Sequence, residues 1–294
     1  MTDPTIRILE PGDEALLEAF LVPRIDSSMF LLGNMRAAGL EEEGQLYGGT
    51  YAARIEHGRI TGVAAHYWNG NIVFQAPGNE IELARAAVRA SCRGFSGLVG
   101  PADQVTVART AFDIRPSNIR MDGTEKLYSL ELADLIIPES LANGRVVGRR
   151  IRRDDFELLL EWRMDYEVNT IYADPTPEFR EKVAAFLKRA CEKGTMWILE
   201  HDGLRVSSTA FNAETAEYVQ VGGVYTPPKL RSRGYARAIV AQSLLDARAE
   251  GAKRGVLFTG IDNESAQRAY ESLGFAHVGN YAILLLREPV SGLT

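Results

Sequence analysis

The stretch Val221-Gly222-Gly223-Val224-Tyr225-Thr226-Pro227-Pro228-Lys229-Leu230-Arg231-Ser232-Arg233-Gly234-Tyr235-Ala236 decides how this chain is read. Its first half alternates like a strand, running from about Tyr218 to Tyr225, and stops at two prolines, which cannot continue a hydrogen-bonded ladder. Beyond Gly234 the spacing turns helical, with Ala236, Ile239, Val240, Leu244 and Ala247 on one face and Gly251 as the stop. The basic loop between them, Lys229 to Gly234, therefore leads straight into a helix N-terminus. There the free backbone N–H groups and the helix dipole favour an anion, phosphate above all. Gly234 lets a ligand approach the backbone, and Lys229, Arg231, Arg233 and Arg237 add positive charge. The Gly-Lys-Ser/Thr of a nucleoside-triphosphate loop is absent, and so is the triple glycine of a dinucleotide fingerprint.

About thirty residues on stands a second pattern, Asn263-x-x-Ala266-x-x-x-Tyr270-x-x-x-Gly274-Phe275. Together with Arg231-x-x-Gly234-x-Ala236, in this order and with a helix and a strand between, it resembles the GNAT superfamily of acyl-CoA-dependent N-acyltransferases. The resemblance implies a mixed α/β (α+β) fold, a mostly antiparallel central sheet flanked by helices, with acetyl-CoA as co-substrate and no metal. It places acyl-CoA on Val224, Tyr225, Thr226, Arg231, Ser232, Arg233, Gly234, Tyr235, Ala236 and Asn263. The N–H of Val224 would polarise the thioester carbonyl, and Tyr270 would protonate the departing thiolate. Each residue also has a plainer reading. Tyr270 shares a helical face with Ala266, Ala269 and Leu273 and could be a core aromatic, Asn263 could be a helix N-cap, and Gly222 and Gly223 could simply sit in a turn.

The general base is less defined. Glu217, at the start of the central strand, Glu200 and His201 are candidates, with Glu217 the leading one, and a route through water with no single base is a further alternative. Glu200-His201-Asp202-Gly203 reads as a hairpin turn. Asp165, Glu167 and Asp174 fall where this fold shapes its acceptor site and would suit a cationic amine, or form a solvated face.

The chain has 294 residues, 46% hydrophobic and 24% charged, with a net charge of −6. That size favours two domains, and the acidic balance argues against nucleic acid or an anionic membrane as partner. Two cysteines, Cys92 and Cys191, make neither a disulfide framework nor a metal site. Without a leader or spanning run, the expected location is the cytoplasm.

The two halves echo each other. Ile55-Glu56-His57-Gly58-Arg59 sets against Leu199-Glu200-His201-Asp202-Gly203, and Gln75-Ala76-Pro77-Gly78 against Gln220-Val221-Gly222-Gly223, about 145 residues apart. The expectation is two tandem GNAT-like domains, 1–137 and 145–294, joined by a linker at 138–144 and active in the second. Near Ala86 to Cys92 the first half has no counterpart of the basic loop. The expected reaction is direct attack of an amine on acetyl-CoA in a ternary complex, the acceptor being a small molecule or a peptide. The alternative is a non-catalytic acyl-CoA-binding or partner-binding module.

Overall fold

The computed structural model describes residues 4–290. In chain order the elements are β1 (Thr5–Ile8), α1 (Glu14–Leu21), α2 (Ile25–Ala38), β2 (Gly49–Glu56), β3 (Arg59–Tyr67), β4 (Asn71–Gln75), α3 (Glu80–Ser91), β5 (Phe95–Pro101), α4 (Ala102–Arg109) and β6 (Ile119–Glu131). There follow α5 (Glu139–Ala142), β7 (Val146–Arg150), α6 (Phe156–Thr170), α7 (Pro177–Lys193), β8 (Met196–His201), β9 (Leu204–Glu214), β10 (Tyr218–Tyr225), α8 (Tyr235–Ala249), β11 (Arg254–Gly260), α9 (Glu264–Glu271) and β12 (Ala276–Val290).

Two compact units result, one running to Leu127 and resuming at Val278, the other Tyr128–His277. In the first, the strand order is β1-β2-β3-β4-β5-β12. In the second it is β7-β8-β9-β10-β11-β6, the same plan with corresponding strands. In each order the first four strands pair antiparallel, and β4–β5 and β10–β11 pair parallel. The sixth strand comes in each case from the other half of the sequence. Residues 278–290, expected with the second domain, thus belong to the first unit, and the division falls inside β6 rather than at 138–144. Within that expected linker, Glu139–Ala142 is a helical turn and Leu141 packs on the core of the second unit.

The internal echo is visible in the hairpins. His57 and Gly58 turn β2 into β3 with positive φ, as Asp202 and Gly203 turn β8 into β9. Both ladders also slip register at matching points, between Arg54 and Ile55 and between Leu199 and Glu200. A shared bulge at the same place in both hairpins is a feature of folding, not of composition.

In the second unit, α8 covers one face of the sheet, burying Ala238, Ile239, Val240, Ala241, Leu244 and Ala247 against Trp197, Leu199, Phe211, Val219 and Val221. On the other face α6 and α7 bury Leu159, Leu160, Trp162, Val183 and Leu187 against Met196, Ile198, Ala210 and Tyr225. Alternation along β10 thus sends Val219 and Val221 towards α8 and Gln220 towards α6.

An ion cluster ties the start of α6 to this sheet. Asp155 is wholly buried and accepts two bonds from Arg149 of β7 (2.7 and 3.0 Å), one from Arg205 of β9 (2.9 Å) and one from the Arg152 N–H (2.8 Å). Burial by itself raises the carboxyl, but the bonds from Arg149, the Arg152 N–H and Arg205 outweigh it and bring it down to about 2. Asp155→Asn therefore loses about 3 kcal/mol of stability at neutral pH, as expected when a buried charge set loses one partner. Because the folded value lies below the ordinary ~3.9, this stabilisation is complete above that value and fades as pH falls towards 2. Urea unfolding across pH should show a constant gap between wild type and variant above about pH 5, closing below about pH 4; a gap independent of acidity would refute it.

Candidate active site

The site is built where β10 leaves its neighbours. Its parallel pairing with β11 covers Tyr218, Val219 and Gln220 against Arg254, Gly255 and Val256, while β10 continues to Tyr225 and β11 to Gly260. On the other side the β9 ladder shifts register between Gly222 and Tyr225. Gly223 and Val224 thus have no partner in either ladder, and Gly223 takes φ 57°, a left-handed bulge conformation. The strands part as a V whose floor is this bulge. The N–H of Val224, without a partner in either ladder, is available to a carbonyl oxygen.

From the bulge the chain runs into the basic loop. Tyr225 and Thr226 have their side chains engaged within the protein. The Tyr225 hydroxyl donates to Asp165 Oδ2 (2.6 Å), and burial, then that bond, push it up to about 12. Thr226 Oγ1 meets Ser207 Oγ (2.9 Å), and Arg231 Nε donates to the Thr226 carbonyl (3.1 Å). These contacts hold the loop's first limb, leaving the backbone of Tyr225 and Thr226 as what a ligand could bind. Arg231, Ser232, Arg233 and Gly234 are exposed. Ser232 and Gly234 take positive φ (62° and 78°), turning the chain so that α8 begins without a side-chain cap. Tyr235 is buried, with its hydroxyl on His201 Nδ1 (2.6 Å), so it anchors the loop from below. Arg237 adds a cation over Gly234 and carries a buried Nε with no hydrogen-bond partner. An open loop with an uncapped helix start and unshared cationic groups fits a phosphorylated, extended ligand.

In the first unit the equivalent turn is the one after β4, Ala76 to Asn79, and not Ala86 to Cys92, which lies within and just after α3. It is short, enters α3 through Asn79, and has its Gly78 N–H satisfied by the Glu80 carboxylate (2.9 Å). With Glu80 and Glu82 in the first helical turn, an anion site is filled from within.

Tyr270 lies in α9, packed beside Tyr128 and Phe275. Burial, and secondarily the neighbouring Tyr166 of α6, push its phenol above the ordinary tyrosine value. Its ring is therefore part of the core, while its hydroxyl bonds to no protein group among the described residues. Tyr166 follows Arg163 by one helical turn, which brings Tyr270 towards the segment of α6 that crosses the bulge. Asn263 serves as the N-cap of α9, accepting from the Ala266 N–H (3.2 Å).

Glu217 is not assembled with these residues. It sits in the β9–β10 turn, where its carbonyl accepts from Lys253 and Arg254 N–H. It lies six positions before Gly223 along the strand, roughly 20 Å. Strand length defeats the assignment: the start of β10 and its bulge are opposite ends of one element. Glu200 is bound to Arg149 (2.5 Å) and is structural.

Sequence reasoning missed Arg163. Its Nε and Nη2 bind Glu167 (2.7 and 2.6 Å), and its guanidinium lies on the rings of Tyr166 and Phe186. Its Nη1 comes within 2.3 Å of where a Cβ on Gly223 would be. The i,i+4 spacing to Glu167 was legible, but such pairs commonly line solvated faces.

The comparisons with known proteins agree with this geometry. Residues 157–275 match the model of the acetyltransferase (GNAT) family. A Drosophila protein superposes over 96% of this chain and 99% of its own, with a TM-score of 0.67 at 12% identity. A GCN5-related N-acetyltransferase from Sphaerobacter thermophilus superposes over 98% and 96%, at 0.59 and 14%. A tandem GNAT protein from the clavulanic acid biosynthesis pathway covers 99% of this chain and 100% of its own, at 0.54 and 12%. At these identities the structures speak to the fold alone, and no curated protein matches the sequence significantly. The motif pair and the V between β10 and β11 fall within residues 157–275, the stretch that matches the acetyltransferase (GNAT) family.

Proposed function

We propose that the unit Tyr128–His277 is an acetyl-CoA-dependent N-acetyltransferase and that the first unit lacks a working acyl-CoA loop. One observation carries this reading. The unpaired Val224 at the bulge is continuous, through nine loop residues at most, with the uncapped start of α8. A thioester carbonyl and a pyrophosphate, the two ends of one extended molecule, thus each meet unshared backbone N–H groups. The basic residues around Gly234 hold the phosphates, and the V between β10 and β11 receives the pantetheine arm.

Acetyl-CoA supplies an activated acyl carbon. The neutral amine nitrogen bonds to that carbon, the C–S bond breaks, and the amine gives up one proton to water in the opening. The Val224 N–H stabilises the negative charge that gathers on the carbonyl oxygen. Tyr270 Oη gives its proton to the departing sulfur and regains one from solvent. Its raised value keeps it protonated throughout the neutral range, so the acid form is always at hand.

Tyr270→Phe should lower kcat by about 100-fold, within the usual share of one positioned proton donor. The affinity for acetyl-CoA, read by calorimetry, should stay within about twofold, because the ring packing on Tyr128 and Phe275 survives. Unchanged turnover would leave Tyr270 as a core aromatic only.

A further inference from the structure

Two buried polar atoms on the α6-facing side of β10 have no partner. Arg163 Nη1 is one and Gln220 Oε1 is the other. Gln220 is 3% exposed, and its neighbours Val219 and Val221 point the other way, into the α8 core. Arg163 is held stiffly. Glu167 takes two of its nitrogens and its Cζ lies over the rings of Tyr166 and Phe186 (5.0 and 4.7 Å), so Nη1 is presented at the bulge glycine rather than free to seek a partner elsewhere. A buried cationic donor and a buried carbonyl acceptor left unbonded cost stability in the free protein, and such a cost persists where a ligand completes the bonds.

The chemistry of the pair is complementary to one kind of molecule. A guanidinium N–H calls for an anion, most favourably a carboxylate. A carboxamide oxygen accepts from an N–H, here the amine to be acetylated. We infer that the acceptor is a free amino acid, its carboxylate on Arg163 Nη1 at the bulge and its amino group on Gln220 Oε1, three residues earlier on β10. This rests on the acetyltransferase reading above and adds the substrate class to it. It also accounts for Gly223, since any side chain there would occupy the place of Arg163 Nη1. Of the nearby acids, Glu167 is already paired with Arg163, and Asp165 accepts from the Tyr225 hydroxyl.

The test is thiol release from acetyl-CoA by the full chain, offered the twenty α-amino acids with β-alanine and 4-aminobutyrate, and alongside them the matching carboxamides and decarboxylated amines. At least one free acid should be acetylated about 100-fold more efficiently than its amide, the range for a charge-assisted bond lost to a buried site. Arg163→Gln should raise KM for that acid about 100-fold while acetyl-CoA affinity stays within about twofold. Gln220→Leu, a substitution of similar volume, should raise the same KM about 10-fold or more and covers the case in which Arg163→Gln does not fold. Amides or decarboxylated amines acetylated as well as the acids would overturn the proposal, and so would an unchanged KM in both variants. Acetyl-CoA binding without turnover of any free acid would also overturn it, leaving the acetyltransferase reading in place with another acceptor. Absence of acetyl-CoA binding would instead remove that reading.

Discussion

Gly234→Glu is expected to weaken acetyl-CoA binding by roughly 1000-fold, the largest change a single residue of the basic loop should give. The new carboxylate would stand at the start of α8, where the dipole and free N–H groups already favour negative charge, and would fill from within the place proposed for pyrophosphate. The first unit shows the same arrangement by nature, with Glu80 bound back to the Gly78 N–H at the corresponding helix entry. Room is not the obstacle. A Cβ at Gly234 would meet only Arg237 Nη2, at 3.8 Å, and the price in backbone strain at φ 78° is about 1 kcal/mol. The variant should therefore fold, with its thermal midpoint a few degrees lower at most. Gly234→Asn is the control, since asparagine tolerates the left-handed region and carries no charge; it should bind within about tenfold of wild type. Calorimetric titration of both variants decides the matter. Equal affinity in Gly234→Glu and wild type would mean that phosphate is not held at this loop.

What the sequence made legible and what it hid follow from the range of the interactions involved. The strand–loop–helix passage through Val221 to Ala236 could be read because its punctuation is local. Pro227 and Pro228 end a ladder by lacking N–H groups, and Gly234 opens a helix by accepting positive φ. The hairpin at His201 to Gly203 was equally local. The destination of β12 was not, since its pairing with β5 joins Tyr281 to Pro101 and Leu285 to Gly97 across most of the chain. Nothing in the composition of residues 278–290 says which sheet edge will accept them. Glu217 was misplaced for a related reason. Chain proximity to the central strand was read as proximity to its chemistry, although a strand separates its two ends by its whole length. Arg163 was hidden because its significance lies in an unmade bond, and only a structure shows which of three guanidinium nitrogens is left over. Asn263 and Tyr235 illustrate the opposite case. The motif singles them out, and their side chains are occupied in capping α9 and in bonding His201, so the pattern records folding requirements of the loop.

Gly223→Ala is expected to abolish most acetyl transfer, lowering kcat/KM by more than about 100-fold, the scale for losing one donor to a developing oxyanion. The added Cβ would come within 2.3 Å of Arg163 Nη1 and 3.6 Å of its Cζ. That guanidinium cannot withdraw cheaply, because Glu167 binds two of its nitrogens and the rings of Tyr166 and Phe186 pack on it. The bulge must move instead, and with it the Val224 N–H. The neighbouring glycine separates this cause from a general dislike of side chains at the site. An alanine at Gly222 would crowd the Asn212 amide at 2.0 Å, closer still, yet Asn212 is exposed and free to swing outward. Gly222→Ala should therefore keep turnover within about tenfold of wild type while Gly223→Ala does not. Acetyl-CoA affinity should fall only a few fold in either, since the phosphate loop lies beyond the bulge. Steady-state kinetics on the two variants with one acceptor, beside calorimetry with acetyl-CoA, would show whether the effect is confined to the chemical step. If Gly223→Ala turns over at the wild-type rate, the acyl group does not sit at this bulge, and the Val224 N–H has no part in the reaction.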